Sequence, residues 1–85
     1  MEKYELTIVL DEKTTPAKKK KVVETIEKIV GLLKGKLGKV EDWGVKEQGL
    51  YLFFPLETSR SSVKMIATKV SQEEDINKYL LIRKD

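Results

Sequence analysis

Lys39-Val40-Glu41-Asp42-Trp43-Gly44-Val45-Lys46-Glu47, then Gln48-Gly49, then Leu50-Tyr51-Leu52-Phe53-Phe54-Pro55-Leu56 is the stretch on which the fold turns. The second run is apolar and aromatic with period two. Leu50, Leu52, Phe54 and Leu56 take one face of a strand, and Tyr51 and Phe53 take the other. The first run is strand-like as well, and Gln48-Gly49 leaves room between the two only for a hairpin turn. Gly44 inside the first run reads as a bulge or bend, which leaves the facing of that strand open.

Before the hairpin, Val22, Val23, Ile26, Ile29, Val30 and Leu33 recur at spacings of three and four, one apolar stripe of a helix. Thr15 is its N-cap and Pro16 its first residue, where a missing N–H costs nothing. Gly35 is the expected C-cap, Lys34 falls near the negative end of the dipole, and Gly31 inside the helix costs about 1 kcal/mol relative to Ala. After the hairpin, Thr58 and Ser59 offer caps for a second, shorter helix with the stripe Val63, Ile66, Ala67 and Val70. Both chain ends read as strands. Tyr4, Leu6, Ile8 and Leu10 alternate with Glu5, Thr7 and Val9, and within Ile76–Arg83 Tyr79 and Leu81 alternate with Lys78, Leu80 and Ile82.

The order is therefore β-α-β-β-α-β, the arrangement of ferredoxin-like α+β domains: a four-stranded antiparallel sheet with two helices on one face. Right-handed crossovers put both helices on the same side and leave the other side of the sheet uncovered. Val9, Tyr51, Phe53, Leu80 and Ile82 fall on that open side beside Glu5, Thr7 and Lys78, a mixed but largely apolar patch and a candidate partner-binding surface.

Eighty-five residues allow one domain, 1–85, and one core. With 40% hydrophobic and 36% charged residues the chain is too apolar to be disordered and carries a dense ionic surface. No apolar run approaches the ~20 residues of a membrane span, and Met1-Glu2-Lys3-Tyr4-Glu5 lacks a signal-peptide layout, so the expected location is cytoplasmic with no membrane partner. The absence of cysteine and histidine excludes disulfides, thiolate metal sites, cysteine nucleophiles and the commonest general base. A net charge of +3, with Arg60 and Arg83 the only arginines, permits phosphate contacts of the point-charge kind made by lysine.

Tyr4-Glu5 with Ile8-Val9-Leu10, Lys39-Val40-Glu41-Asp42-Trp43-Gly44, and Asn77-Lys78-Tyr79-Leu80-Leu81-Ile82-Arg83 resemble, in order and separation, the first, second and last strands of the sixth small-subunit protein of the bacterial ribosome. Val-Glu-Asp-Trp-Gly is the most specific part. The resemblance implies a ferredoxin-like fold, no catalysis, a heterodimer with the eighteenth small-subunit ribosomal protein, and binding to the central domain of small-subunit rRNA. Lys3, Lys78 and Arg83 match basic positions of the family pattern and are the implied RNA-binding residues, expected to converge near the border between the first and last strands. In the family, Trp-Gly is followed by a longer basic segment; here Val45-Lys46-Glu47-Gln48-Gly49 stands in its place, shortening the hairpin by about ten residues. The chain also reads as lacking the family's tail, stopping at Lys84-Asp85.

Other readings of the same residues are blander. Tyr51 and Phe53 either stack on bases, contact a protein or merely cover the sheet; the leucines around them fit poorly with an RNA-recognition strand. Lys18-Lys19-Lys20-Lys21 rotates around a helix and makes no stripe, so it reads as a solvated helix end. Trp43 reads as a packing residue, and Ser59, Ser61 and Ser62 as helix-start chemistry. Glu73-Glu74-Asp75 reads as a solvated turn rather than a metal site. Acylphosphatase-like catalysis would need an arginine in the loop after the first strand, and Asp11-Glu12-Lys13-Thr14-Thr15 has none; no catalytic residue, cofactor or metal is expected. The competing class is a homo-oligomeric regulatory or interaction domain that uses the same open face. Lys3, Lys78 and Arg83 have their own bland reading, exposed ion pairs with Glu2, Glu5 and Asp85.

Overall fold

The computed structural model describes residues 1–84. Strand β1 (Glu2–Asp11) leads to helix α1 (Pro16–Leu32), a two-residue strand β2 (Lys36–Leu37), the hairpin β3 (Glu41–Lys46) and β4 (Gly49–Thr58), helix α2 (Arg60–Ser71) and strand β5 (Lys78–Arg83). β1 and β4 pair antiparallel along their full lengths, from Glu2 opposite Thr58 to Asp11 opposite Gly49. β5 flanks β1 and forms one edge; β2 and β3 both pair with β4 on its outer side.

The alternation does what it implies. Tyr4, Leu6, Ile8 and Leu10 of β1 and Leu50, Leu52, Phe54 and Leu56 of β4 are buried, and they meet Val22, Ile26, Ile29 and Val30 of α1 and Ile66 and Val70 of α2 in one core. Each such side chain contributes about 1.5–3 kcal/mol by leaving water. Thr15 caps α1, its hydroxyl accepting from Lys18 N–H at 3.2 Å, and Ser59 does the same for α2 toward Ser62 N–H.

The sheet carries five strands rather than the expected four, and Pro55 is the reason. Gly38 N–H donates to the Pro55 carbonyl at 2.7 Å, so the Pro55 nitrogen also faces the outer edge, where it has no hydrogen to return. The edge strand breaks at that point into β2 and β3, and its pairing slips by one residue, from Leu37 opposite Leu56 to Glu41 opposite Phe53. A second slip lies between Asp42 and Gly44, the bulge foreseen from Gly44, whose φ is 75°.

Other expectations shift by a residue or two. β5 starts at Lys78 instead of Ile76. The left-handed residue after α1 is Lys34, φ 61°, not Gly35; Lys34 N–H bonds Gly31 O and Gly35 N–H bonds Val30 O, a Schellman closure. Gly35 is needed for space, since a Cβ there would lie 2.9 Å from Val30 Cγ1 and 3.0 Å from Glu57 O. Likewise the hairpin turns on Glu47 and Gln48, φ 47° and 66°, and Gly49 is already in the strand, where a Cβ would lie 2.5 Å from Val9 Cγ1.

Two left-handed non-glycine residues in one tight turn are costly, and Asn-Gly suits that turn best. Glu47→Asn with Gln48→Gly should therefore raise stability by about 1 kcal/mol or more, read as a higher urea midpoint with an unchanged slope. The Thr58 hydroxyl is buried with no hydrogen-bond partner among the described residues. Thr58→Val should leave stability unchanged or raise it by up to about 1 kcal/mol in thermal unfolding, whereas Thr58→Ala, which leaves a void, should lower it.

Candidate interaction surface on the open sheet face

Register places the odd-numbered residues of β1 and β4 and the even-numbered residues of β5 on the side of the sheet away from the helices. They form cross-strand rows: Lys78, Val9 and Tyr51; Leu80, Thr7 and Phe53; Ile82, Glu5 and Pro55; and, at the end, Lys84, Lys3, Glu57 and Lys36. The five residues expected to form a partner surface, Val9, Tyr51, Phe53, Leu80 and Ile82, thus lie together. Leu80 and Ile82 are 59% and 45% exposed.

Trp43 closes one side of this patch. As the extra residue of the bulge, it stacks on Phe53 with ring centroids 4.9 Å apart and planes 12° from parallel, donates from Nε1 to Glu41 at 3.0 Å, and has Lys46 Nζ 5.9 Å from its ring centroid. It is a packing residue at the rim, as the sequence indicates. The bulge is pinned from the helix side. Asp42 accepts from Gly44 N–H at 2.8 Å and from Lys19 Nζ at 2.7 Å, and the Lys19 bond first, then the Gly44 bond, lowers its pKa. The lysine run at the start of α1 is therefore more than a solvated end: Lys19 holds Asp42, and Lys18 pairs with Asp75 at 3.1 Å.

Lys3, Lys78 and Arg83 do not converge. Lys3 and Lys78 share the open face, but Lys78 stands opposite Val9, six residues or about 20 Å along β1 from Lys3. Arg83 stands opposite buried Tyr4, on the helix side, and its guanidinium lies 3.3 Å from Glu2 Oε1. Glu2 also takes the Tyr4 hydroxyl at 2.8 Å and Arg60 through Nε and Nη2. The Tyr4 bond, followed by Arg60, lowers the Glu2 pKa, and the same Tyr4 bond raises that of Tyr4. The bland ion-pair reading holds for Arg83 with Glu2; a weak pair joins Lys84 and Glu5 at 3.8 Å, and Asp85 lies outside the described residues.

The basic cluster that the fold does assemble was missed. Lys3 of β1, Lys36 of β2 and Lys84, just after β5, come to one end of the open face, where with Tyr4, Leu37, Gly38, Pro55, Leu56 and Glu57 they line a shallow depression of about 430 Å³. Lys36 belongs to the short strand that sequence patterning did not reveal.

Residues 3–83 match the model of the family described as ribosomal protein S6. The chain belongs to the ribosomal protein S6 family. It is 25% identical over 91 residues to small ribosomal subunit protein bS6 of Dehalococcoides mccartyi, covering 96% of this chain and 84% of that one. It is also 25% identical to bS6 of Pelagibacter ubique, covering 98% and 76%. Each alignment is longer than the chain itself, so these relatives carry residues that it lacks. The crystal structure of 30S ribosomal protein S6 from Thermotoga maritima superposes with a TM-score of 0.89 at 18% identity over 98% of this chain and 87% of that one. The C-terminal domain of the MgtC protein from Mycobacterium tuberculosis has a TM-score of 0.78 at 9% identity over 99% and 88%, a likeness of fold alone. The ribosomal protein S6 family is a structural, non-enzymatic family, and membership gives this chain a structural role in the small ribosomal subunit. No helix of the described residues is long and apolar enough to cross a membrane.

The two lowered carboxyls give a pH dependence. Asp42 and Glu2 remain charged in the fold at pH values where the unfolded chain begins to take up protons, so what they add is present above the ordinary carboxylate range near 4 and is lost as pH falls through their lowered values. Asp42→Asn should lower stability at pH 7 and flatten the acid limb below about pH 4, measured by urea unfolding at each pH.

Proposed function

We propose that the chain binds the central domain of small-subunit rRNA in the cytoplasm, as one half of a heterodimer with the eighteenth small-subunit ribosomal protein. The observation that carries this is the uncovered sheet face, on which Val9, Tyr51, Phe53, Leu80 and Ile82 form an apolar field that ends at three lysines. The protein partner covers the apolar rows, where an unpaired carboxylate would cost several kcal/mol. The RNA backbone lies along Lys84, Lys3 and Lys36, which span about 14 Å across three strand spacings and reach successive phosphates. Lys3 keeps the role the family pattern gives it. Lys36 and Lys84 replace Arg83, which lies on the helix side against Glu2, and Lys78, at the far end of the face.

With a net charge of +3 the isolated chain binds RNA weakly and the heterodimer binds it tightly. The tagged protein should co-sediment with small and not large ribosomal subunits. Phe53→Asp or Leu80→Asp should abolish pull-down of the protein partner with circular dichroism unchanged. Replacing Lys3, Lys36 and Lys84 together by Gln should weaken assembly on the central-domain RNA about tenfold or more and reduce its log-log salt slope by about 2–3, while the Lys78→Gln, Arg83→Gln pair changes it little. Co-sedimentation failure, with the wild type dimeric in sedimentation equilibrium and monomeric after Leu80→Asp, would favour self-association instead.

A further inference from the structure

The two edges of the sheet differ in kind. The edge formed by β2 and β3 is blunted by its break opposite Pro55, the Asp42–Gly44 bulge and the tight turn at Glu47-Gln48. β5 has none of these devices: six residues without proline, glycine or bulge, with Tyr79, Leu80, Leu81 and Ile82 at its centre. Lys84 N–H donates to Lys3 O, so Ile82, Leu80 and Lys78 also turn their amides toward β1, and Tyr79 and Leu81 turn theirs outward. On the open face Lys78, Leu80 and Ile82 of this strand, with Lys84 just past its end, recur at every second residue, a basic, apolar, apolar, basic series.

From this series we infer that β5 accepts an added strand from another protein, an extended segment whose side chains on the open face run acid, apolar, apolar, acid at positions i, i+2, i+4 and i+6. The backbone pairing supplies affinity and the side-chain row supplies selectivity. Because the series reads the same in both directions, charge matching permits either strand sense. A second copy of this chain is the wrong occupant. Amide facing allows long antiparallel self-pairing only about Leu80 or Leu81: the first sets Lys78 against Ile82, and the second sets Lys78 against Lys84 twice. Neither register gives a β5 cation a carboxylate from the partner strand, whereas like charges directly opposed destabilise. The added strand lies beside the open face rather than over it and shares Leu80, Ile82 and Lys84 with the surface proposed above, so its binding is read on the chain without protein partner or RNA, where failure of that reading leaves it standing.

The test is calorimetric titration of the full chain with acetyl-Glu-Thr-Val-Thr-Ile-Thr-Glu-amide and with the same peptide carrying Lys at both ends. The acidic peptide should bind at least tenfold more tightly and slow hydrogen exchange at the Tyr79 and Leu81 amides. Lys78→Glu should erase that preference, and Tyr79→Pro, which removes an outward N–H without touching a bond to β1, should abolish binding. If the proline variant unfolds, the exchange pattern and Lys78→Glu still decide. Equal affinity for the two peptides, no binding at millimolar concentration, protection in β3 instead of β5, or an unmixed chain that self-associates through β5 would each overturn the inference.

Discussion

The ten-residue antiparallel pairing of β1 with β4 sets the register of everything else in the molecule. It joins residues about forty to fifty-six positions apart in sequence, so it has to be closed against loop entropy before it is rewarded. The reward comes from one face, where eight alternate side chains of the two strands are buried under both helices. A slip of one residue would exchange those eight for Glu5, Thr7, Val9, Tyr51, Phe53 and their neighbours and would drive charge into the core. The open face is the complement of that constraint: its composition is what remains once the inner face is satisfied, and it is free to serve recognition.

Pro55 shows how one residue can shape an edge without weakening the centre. Glu5, opposite it on β1, turns its amide toward β5, so the proline's missing hydrogen takes nothing from the central pair. On the other side the lack of a donor ends β2, and the extra residue gained there resets the facing of β3. That reset brings Asp42 to the helix side, within reach of Lys19, and leaves Trp43 over Phe53. The rim of the candidate surface therefore depends on a proline two residues away from the aromatic it frames.

How much of this was legible in the sequence depends on whether the signal was local. The alternation of β1 and β4, the stripes of α1 and α2 and their Thr15 and Ser59 caps are patterns within one element, and they matched the structure. Lys34, Glu47 and Gln48 were missed because each takes a left-handed conformation one or two residues before a glycine that advertises itself for the role, while the glycine is spent on space between packed atoms. Lys36 was missed because a two-residue strand has no period. The grouping of Lys3 with Lys78 and Arg83 fails for reasons the pattern already contains: antiparallel neighbours begin at opposite ends, and Arg83 shares the parity of Tyr79 and Leu81.

The short hairpin completes the surface. With only Glu47 and Gln48 between β3 and β4, the sheet ends two pairs beyond the Gly44–Tyr51 row, and no long excursion is available to fold back over the aromatics. Trp43 takes that place with a single ring, held in plane on Phe53 and anchored by its own Nε1 to Glu41, so the patch is bordered on that side by a rigid aromatic wall. At the opposite border the wall is absent and β5 ends the sheet with outward amides. A partner that fills the rows between these borders meets a fixed stop at Trp43 and an extendable margin at β5, which gives the surface a direction as well as an area.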